Sequence, residues 1–63
     1  MMPSMRILIV EDDSEAANYM AKAFREAGHV ADHVGDGIEG YARAREEDYD
    51  VLIVDRMLPK LDG

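Results

Sequence analysis

The 63-residue chain predicts an α/β fold, a parallel sheet built in the order βαβαβ with strand order 2-1-3. Three observations carry that expectation. Two unbroken apolar runs, Ile7-Leu8-Ile9-Val10 and Val51-Leu52-Ile53-Val54, have strand length and no polar face, as strands covered on both sides do. Each run stops abruptly in acid, at Glu11-Asp12-Asp13 and at Asp55. The residues between them hold two stretches of helical period, separated by glycine turns and a weaker strand.

Arg6 to Val10 is the first strand, after a frayed start over Met1 to Met5. Glu11 to Ser14 forms the turn, and Asp13 or Ser14 is placed to cap the next helix. That helix runs to about Ala27. Its residues Ala17, Met20, Ala21 and Phe24 repeat at helical spacing, while Lys22, Arg25 and Glu26 lie mostly off that stripe. Gly28 is the expected left-handed stop. Val30 to Val34 is a strand with sparse apolar residues, suited to a sheet edge. Gly35-Asp36-Gly37 is a turn. Ile38 to about Glu47 is the second helix, with Ile38, Tyr41 and Ala42 expected on its inner face. Asp48-Tyr49-Asp50 leads into the third strand, Val51 to Val54. Tyr41 and Tyr49 are expected in the core or at its rim.

Strand order decides which acids meet. In order 1-2-3 the ends of the first and third strands would stand roughly 9.6 Å apart, against about 4.8 Å in order 2-1-3. The second order centres the most apolar strand and sends the weak one to an edge. It gathers Glu11, Asp12 and Asp55 at the topological switch point, where open α/β sheets form a crevice. The two helices then cover opposite faces.

Composition removes several function classes. The chain has 14 acidic and 7 basic residues and a net charge of −7, the wrong sign for a phosphate-backbone footprint. It has no cysteine, hence no disulfide framework and no thiolate chemistry. Its apolar runs are far shorter than the roughly 20 residues of a membrane span. The expectation is a cytoplasmic protein that does not engage a membrane.

Three converging carboxylates repel one another unless they share a hard cation. Magnesium takes oxygen ligands and commonly uses one or two carboxylates with water and phosphate. The plain alternative is that acids favour a helix start, and that alternative suits Asp13. It does not account for a second acid, Asp55, at the second strand end. His29 and His33 lie four apart and share a strand face, but zinc needs at least a third ligand, so both read as exposed edge residues. Gly35-Asp36-Gly37-Ile38-Glu39-Gly40 matches G-x-G-x-x-G between a strand and a helix. A dinucleotide-binding (Rossmann-like) enzyme fragment is therefore the alternative. Asp32 and Asp36 would repel phosphate there, and Asp55 follows closer than the usual spacing of about 20 residues.

Ile7-Leu8-Ile9-Val10-Glu11-Asp12-Asp13, with Asp50-Val51-Leu52-Ile53-Val54-Asp55-Arg56-Met57-Leu58-Pro59-Lys60-Leu61-Asp62-Gly63, resembles the receiver domain of two-component response regulators. Gly28 and Asp36-Gly37 fit the same pattern. The wording Glu-Asp-Asp and Met-Leu-Pro looks most like the class with a downstream winged-helix DNA-binding domain. The resemblance implies a flavodoxin-like (CheY-like) sheet, in agreement with a known 2-1-3-4-5 order. It also implies a role for each matching residue. Asp55 would accept a phosphoryl group from a sensor histidine kinase. Magnesium would be held by Asp12, by Glu11 through water, by Asp55 and by the Met57 carbonyl. Pro59 and Gly63 would shape the loop beyond.

The likeness covers three of the family's five strands, so residues 1–63 read as the amino-terminal half of a receiver domain. The Ser or Thr, the Lys and the switch aromatic that the family places on later strands have no counterpart here; Lys60 sits in the wrong place. Phosphorylation is expected to be slow and signalling incompetent. The implied role is a signalling module and not a turnover enzyme. An aspartyl-phosphate phosphatase would want a second Asp two residues after the nucleophile, where this chain has Met57. DNA contact would come only through a downstream domain. The apolar edge of the third strand predicts a homodimer in which two such strands pair antiparallel.

Overall fold

In the computed structural model, which describes residues 4–54, three strands and two helices alternate. They are β1 (Arg6–Val10), α1 (Ser14–Glu26), β2 (Val30–Val34), α2 (Gly37–Glu46) and β3 (Val51–Val54). All three strands fall where the apolar pattern puts them. The sheet is parallel in the order β2-β1-β3. Over the described residues this is a βαβαβ arrangement of the flavodoxin-like type, with β2 at an edge as its composition predicts.

The central strand carries the core. Ile7, Leu8 and Ile9 are essentially inaccessible to water, and burial of each side chain is worth about 1.5–3 kcal/mol. Side chains of a strand alternate between faces, so the core divides in two. Ile7 and Ile9 pack with Ala17, Ala21 and Ala31 beneath α1, joined by Met20, Phe24, Val51 and Ile53. Leu8 and Val10 pack with Val34 beneath α2, joined by Ala44 and Tyr49. The apolar stripe read for α1 is the face it buries.

Helix α1 begins and ends as its sequence dictates. Asp13 is its N-cap, accepting the N–H groups of Glu15 and Ala16. A cap of this kind is typically worth about 1 kcal/mol. At the other end Gly28 has φ 94, the left-handed conformation that a side chain disfavours. Its N–H reaches the Arg25 carbonyl, and the His29 N–H reaches that of Phe24, the paired bonds of a Schellman motif.

Helix α2 departs from expectation. It starts one residue earlier, at Gly37, and its N-cap is Asp36, which accepts the Glu39 N–H at 2.8 Å. The expected inner face is also wrong. Ile38 is 83% exposed, Tyr41 67%, and Ala42 is exposed too. The buried ridge is Gly40 with Ala44. A Cβ on Gly40 would stand 2.7 Å from Val10 Cγ2, so the helix backbone rests directly on the strand at the position without a side chain. Close approach at Gly40 turns the larger apolar residues outward. On this side Leu52 and Val54 stay half exposed, flanking a shallow apolar depression of about 210 Å³ with Tyr41.

Candidate functional site

The acidic turn after β1 is built by dividing three carboxylates among three tasks. Glu11 is 4% exposed and is held at several points. Its N–H donates to the Val34 carbonyl at 3.1 Å, and its own carbonyl accepts from His33 Nε2 at 2.8 Å. Its carboxylate accepts the Asp13 N–H at 2.9 Å. Burying a carboxylate demands partners of this kind. Asp13 is committed to capping α1. Asp12, between them, is exposed, and among the described residues its carboxylate makes no hydrogen bond or ion pair. Two acids serve the fold and the third, Asp12, stays exposed.

The sheet brings this turn to the end of β3. Val10 pairs with Val54, the last register pair of β1 and β3, and Glu11-Asp12 and Asp55 are the next residues in each sequence. Asp55 and Met57, expected as nucleophile and metal ligands, lie outside the described residues, as do Pro59, Lys60 and Gly63. Among the described residues no group of three His, Cys, Asp or Glu side chains could hold a metal ion. What this part contributes is one free carboxylate beside one buried carboxylate. An all-oxygen pair of that kind suits magnesium and leaves coordination to be completed by further oxygens.

The other candidates resolve differently. His29 and His33 are not exposed edge residues. Both are half-buried, His29 Nδ1 accepts the Met5 N–H at 3.1 Å, and His33 holds the Glu11 carbonyl. In the glycine-rich stretch, the carboxylate of Asp36 already caps the α2 N-terminus where a pyrophosphate would need to sit. Gly35 and Gly37 have no positive φ.

A polar cluster at the opposite end of the sheet was not anticipated. Asp32, on the α2 side of β2, accepts from the Tyr49 hydroxyl at 2.6 Å and faces Arg6 at 3.8 Å and Arg43 at 3.7 Å. Glu47 pairs with Arg6 and, four residues along, with Arg43. The signal was present: an acid at an inward position of an edge strand, and an Arg and a Glu at helical spacing. Burial, then the bond to Asp32, raises the Tyr49 hydroxyl above its ordinary pKa, with Arg43 pulling the other way.

A three-stranded parallel sheet in the order β2-β1-β3, with helices alternating between its strands, defines an α/β module of the open-sheet class. The chain belongs to the response regulator receiver domain family, whose model matches residues 7–63. It is 51% identical over 59 residues to the transcriptional activator protein IrlR of Burkholderia pseudomallei (strain 1026b). It is 48% identical to the probable transcriptional regulatory protein SilR of Salmonella typhimurium, and 44% identical to the transcriptional regulatory protein CusR of Escherichia coli K12. Each match covers 94% of this chain and 26% of the relative, so the chain spans about a quarter of the length of the curated relatives it matches. No solved structure matches the chain. Among the described residues no helix is long and apolar enough to cross a membrane.

Proposed function

We propose that this chain is the amino-terminal half of a receiver domain that accepts a phosphoryl group on Asp55 from a sensor histidine kinase. The observation that carries the reading is Asp12. It stands free and exposed at the end of β1, beside the strand end that leads into Asp55. In the transfer, an Asp55 carboxylate oxygen forms the new bond to phosphorus. The bond from phosphorus to the kinase histidine breaks, and its electron pair returns to the imidazole. Asp12 would hold magnesium directly and Glu11 through water, with Asp55 and the Met57 carbonyl as the remaining protein donors. When bound, the metal offsets charge on the phosphoryl oxygens. Asp13 keeps the turn registered on α1, and burial of Glu11 fixes the floor of the site.

Within a longer cytoplasmic protein, the phosphoryl group would control a DNA-binding transcription output of the winged-helix class. The names of the relatives, all transcriptional regulators, support that output. The module signals; it does not turn over substrate. The 63 residues alone lack the family's phosphoryl-binding Lys and hydroxyl. They are expected to react orders of magnitude more slowly than a longer form, because such catalysis rests on positioning and charge stabilisation.

Intact-mass spectrometry with magnesium and a small phosphodonor tests the reading. The expected result is a single phosphoryl gain that disappears in Asp55→Asn. A gain that persists in that variant, or binding of NAD without phosphorylation, would overturn it. Equal rates for this chain and a full-length form would refute the expected slow reaction.

A further inference from the structure

We infer that His33 is a positioning residue for Asp12, acting through the backbone of Glu11. The inference rests on the reading of Asp12 as a magnesium ligand. His33 lies on β2 opposite Ile9, and its Nε2 stands 2.8 Å from the Glu11 carbonyl oxygen. A carbonyl only accepts, so the ring presents its N–H at Nε2. The neighbouring residue of β2 holds the other side of Glu11, the Val34 carbonyl taking its N–H at 3.1 Å. The last two residues of β2 therefore grip Glu11 at both its donor and its acceptor, one residue beyond the final register pair, Val10 with Val34.

The Glu11 carbonyl belongs to the peptide plane that ends in the Asp12 Cα. That plane is rigid, because resonance fixes its six atoms together. Once His33 holds the oxygen, the ψ of Glu11 and the position of the Asp12 Cα are set, and only the φ of Asp12 and its side-chain torsions are left to aim the carboxylate. The other polar contacts at the turn do not substitute for this one. The Glu11 carboxylate holds the Asp13 N–H, and Asp13 holds α1. Both act on the far side of Asp12. Without the imidazole, the Asp12 carboxylate samples more orientations and a cation must organise it on binding.

The test compares His33→Leu, which keeps bulk and loses the donor, with His33→Gln, whose amide N–H can reach the same carbonyl. Magnesium affinity is measured by calorimetric titration of the full chain, and melting temperature is measured without metal. His33→Leu is expected to weaken magnesium binding about threefold to tenfold, at or below the low end for outer-shell partners. His33→Gln is expected to restore most of it, and Asp12→Asn to abolish binding. Equal affinity in His33→Leu and wild type, or Gln no better than Leu at matched stability, would overturn the inference. Magnesium binding that survives Asp12→Asn would instead overturn the ligand reading beneath it. If His33→Leu does not fold, nitrogen-15 NMR of the wild-type imidazole decides: an Nε2–H ring supports the clamp and a neutral Nδ1–H ring refutes it.

Discussion

Replacing Gly40 with alanine tests how α2 is seated. In a helix interior, Gly→Ala is favourable by about 1 kcal/mol on backbone grounds alone. Here the new Cβ would lie 2.7 Å from Val10 Cγ2, 3.4 Å from Val10 Cγ1 and 3.6 Å from Val34 Cγ2. Carbon atoms prefer a separation of about 3.5–4.0 Å, so the first contact is short by about 1 Å. Val10 is buried and β-branched, with little freedom at χ1, so the helix must lift. Overpacking of this kind costs about 1–3 kcal/mol. The net expectation is a loss of about 1 kcal/mol, large for a chain of this size. Urea unfolding followed by far-ultraviolet circular dichroism measures it. Gly37→Ala is the control: no atom lies within 4 Å of its Cβ position, and a gain of about 0.5 kcal/mol is expected. In a Val10→Ala background, studied in sucrose to keep it folded, Gly40→Ala should become stabilising. The coupling would be about 2 kcal/mol, within the range for residues in contact. Gly40→Ala that stabilises equally in both backgrounds would refute the seating.

The polar cluster predicts an alkaline limit. The pKa of Tyr49 is raised in the folded chain, so above pH of about 10 the unfolded chain sheds that proton first, and stability present below that pH is lost as pH rises. Tyr49→Phe should flatten the alkaline decline in melting temperature, and an unchanged pH profile would count against the assignment. Self-association is a proposal from the sheet edge. Among the described residues β3 pairs only with β1, and Leu52 and Val54 are half exposed, so antiparallel pairing of two β3 strands is expected to give a dimer. Sedimentation showing a folded monomer at high concentration would contradict it.

The central strand was legible because a buried parallel strand announces itself twice, by an unbroken apolar run and by the acid that ends it; β3 carries the same signal, yet Leu52 and Val54 leave one of its faces half exposed and not covered as the run predicts. The α1 stripe was legible for a similar reason: Ala17, Met20, Ala21 and Phe24 are both apolar and inward. On α2 the same reasoning failed. Hydropathy ranks Ile38 and Tyr41 above Gly40, but the helix lands on the residue with the least bulk. A pattern of apolar side chains cannot register a contact made by the lack of one. At the acidic turn, residue types pointed to Asp13 as a cap of α1 but not to the contacts that bury Glu11. Those contacts run through backbone donors and acceptors, including the Glu11 carbonyl that His33 holds, and such atoms are identical in every sequence.

The strand on which both neighbours depend is also the first to be made. The partners of its flank come late: Met5 bonds to His29, 24 positions on, and Arg6 to Asp50, 44 positions on. At a synthesis rate of about 5–20 residues per second, the nascent Ile7-Leu8-Ile9-Val10 run waits about 2–9 seconds for its second neighbour. During that interval it is a bare, uncharged β-forming segment of the kind that aggregates. Arg6 at one end and Glu11-Asp12-Asp13 at the other bracket it with charge. The acids that build the turn after β1 also stand as flanking charges against aggregation of the half-made chain.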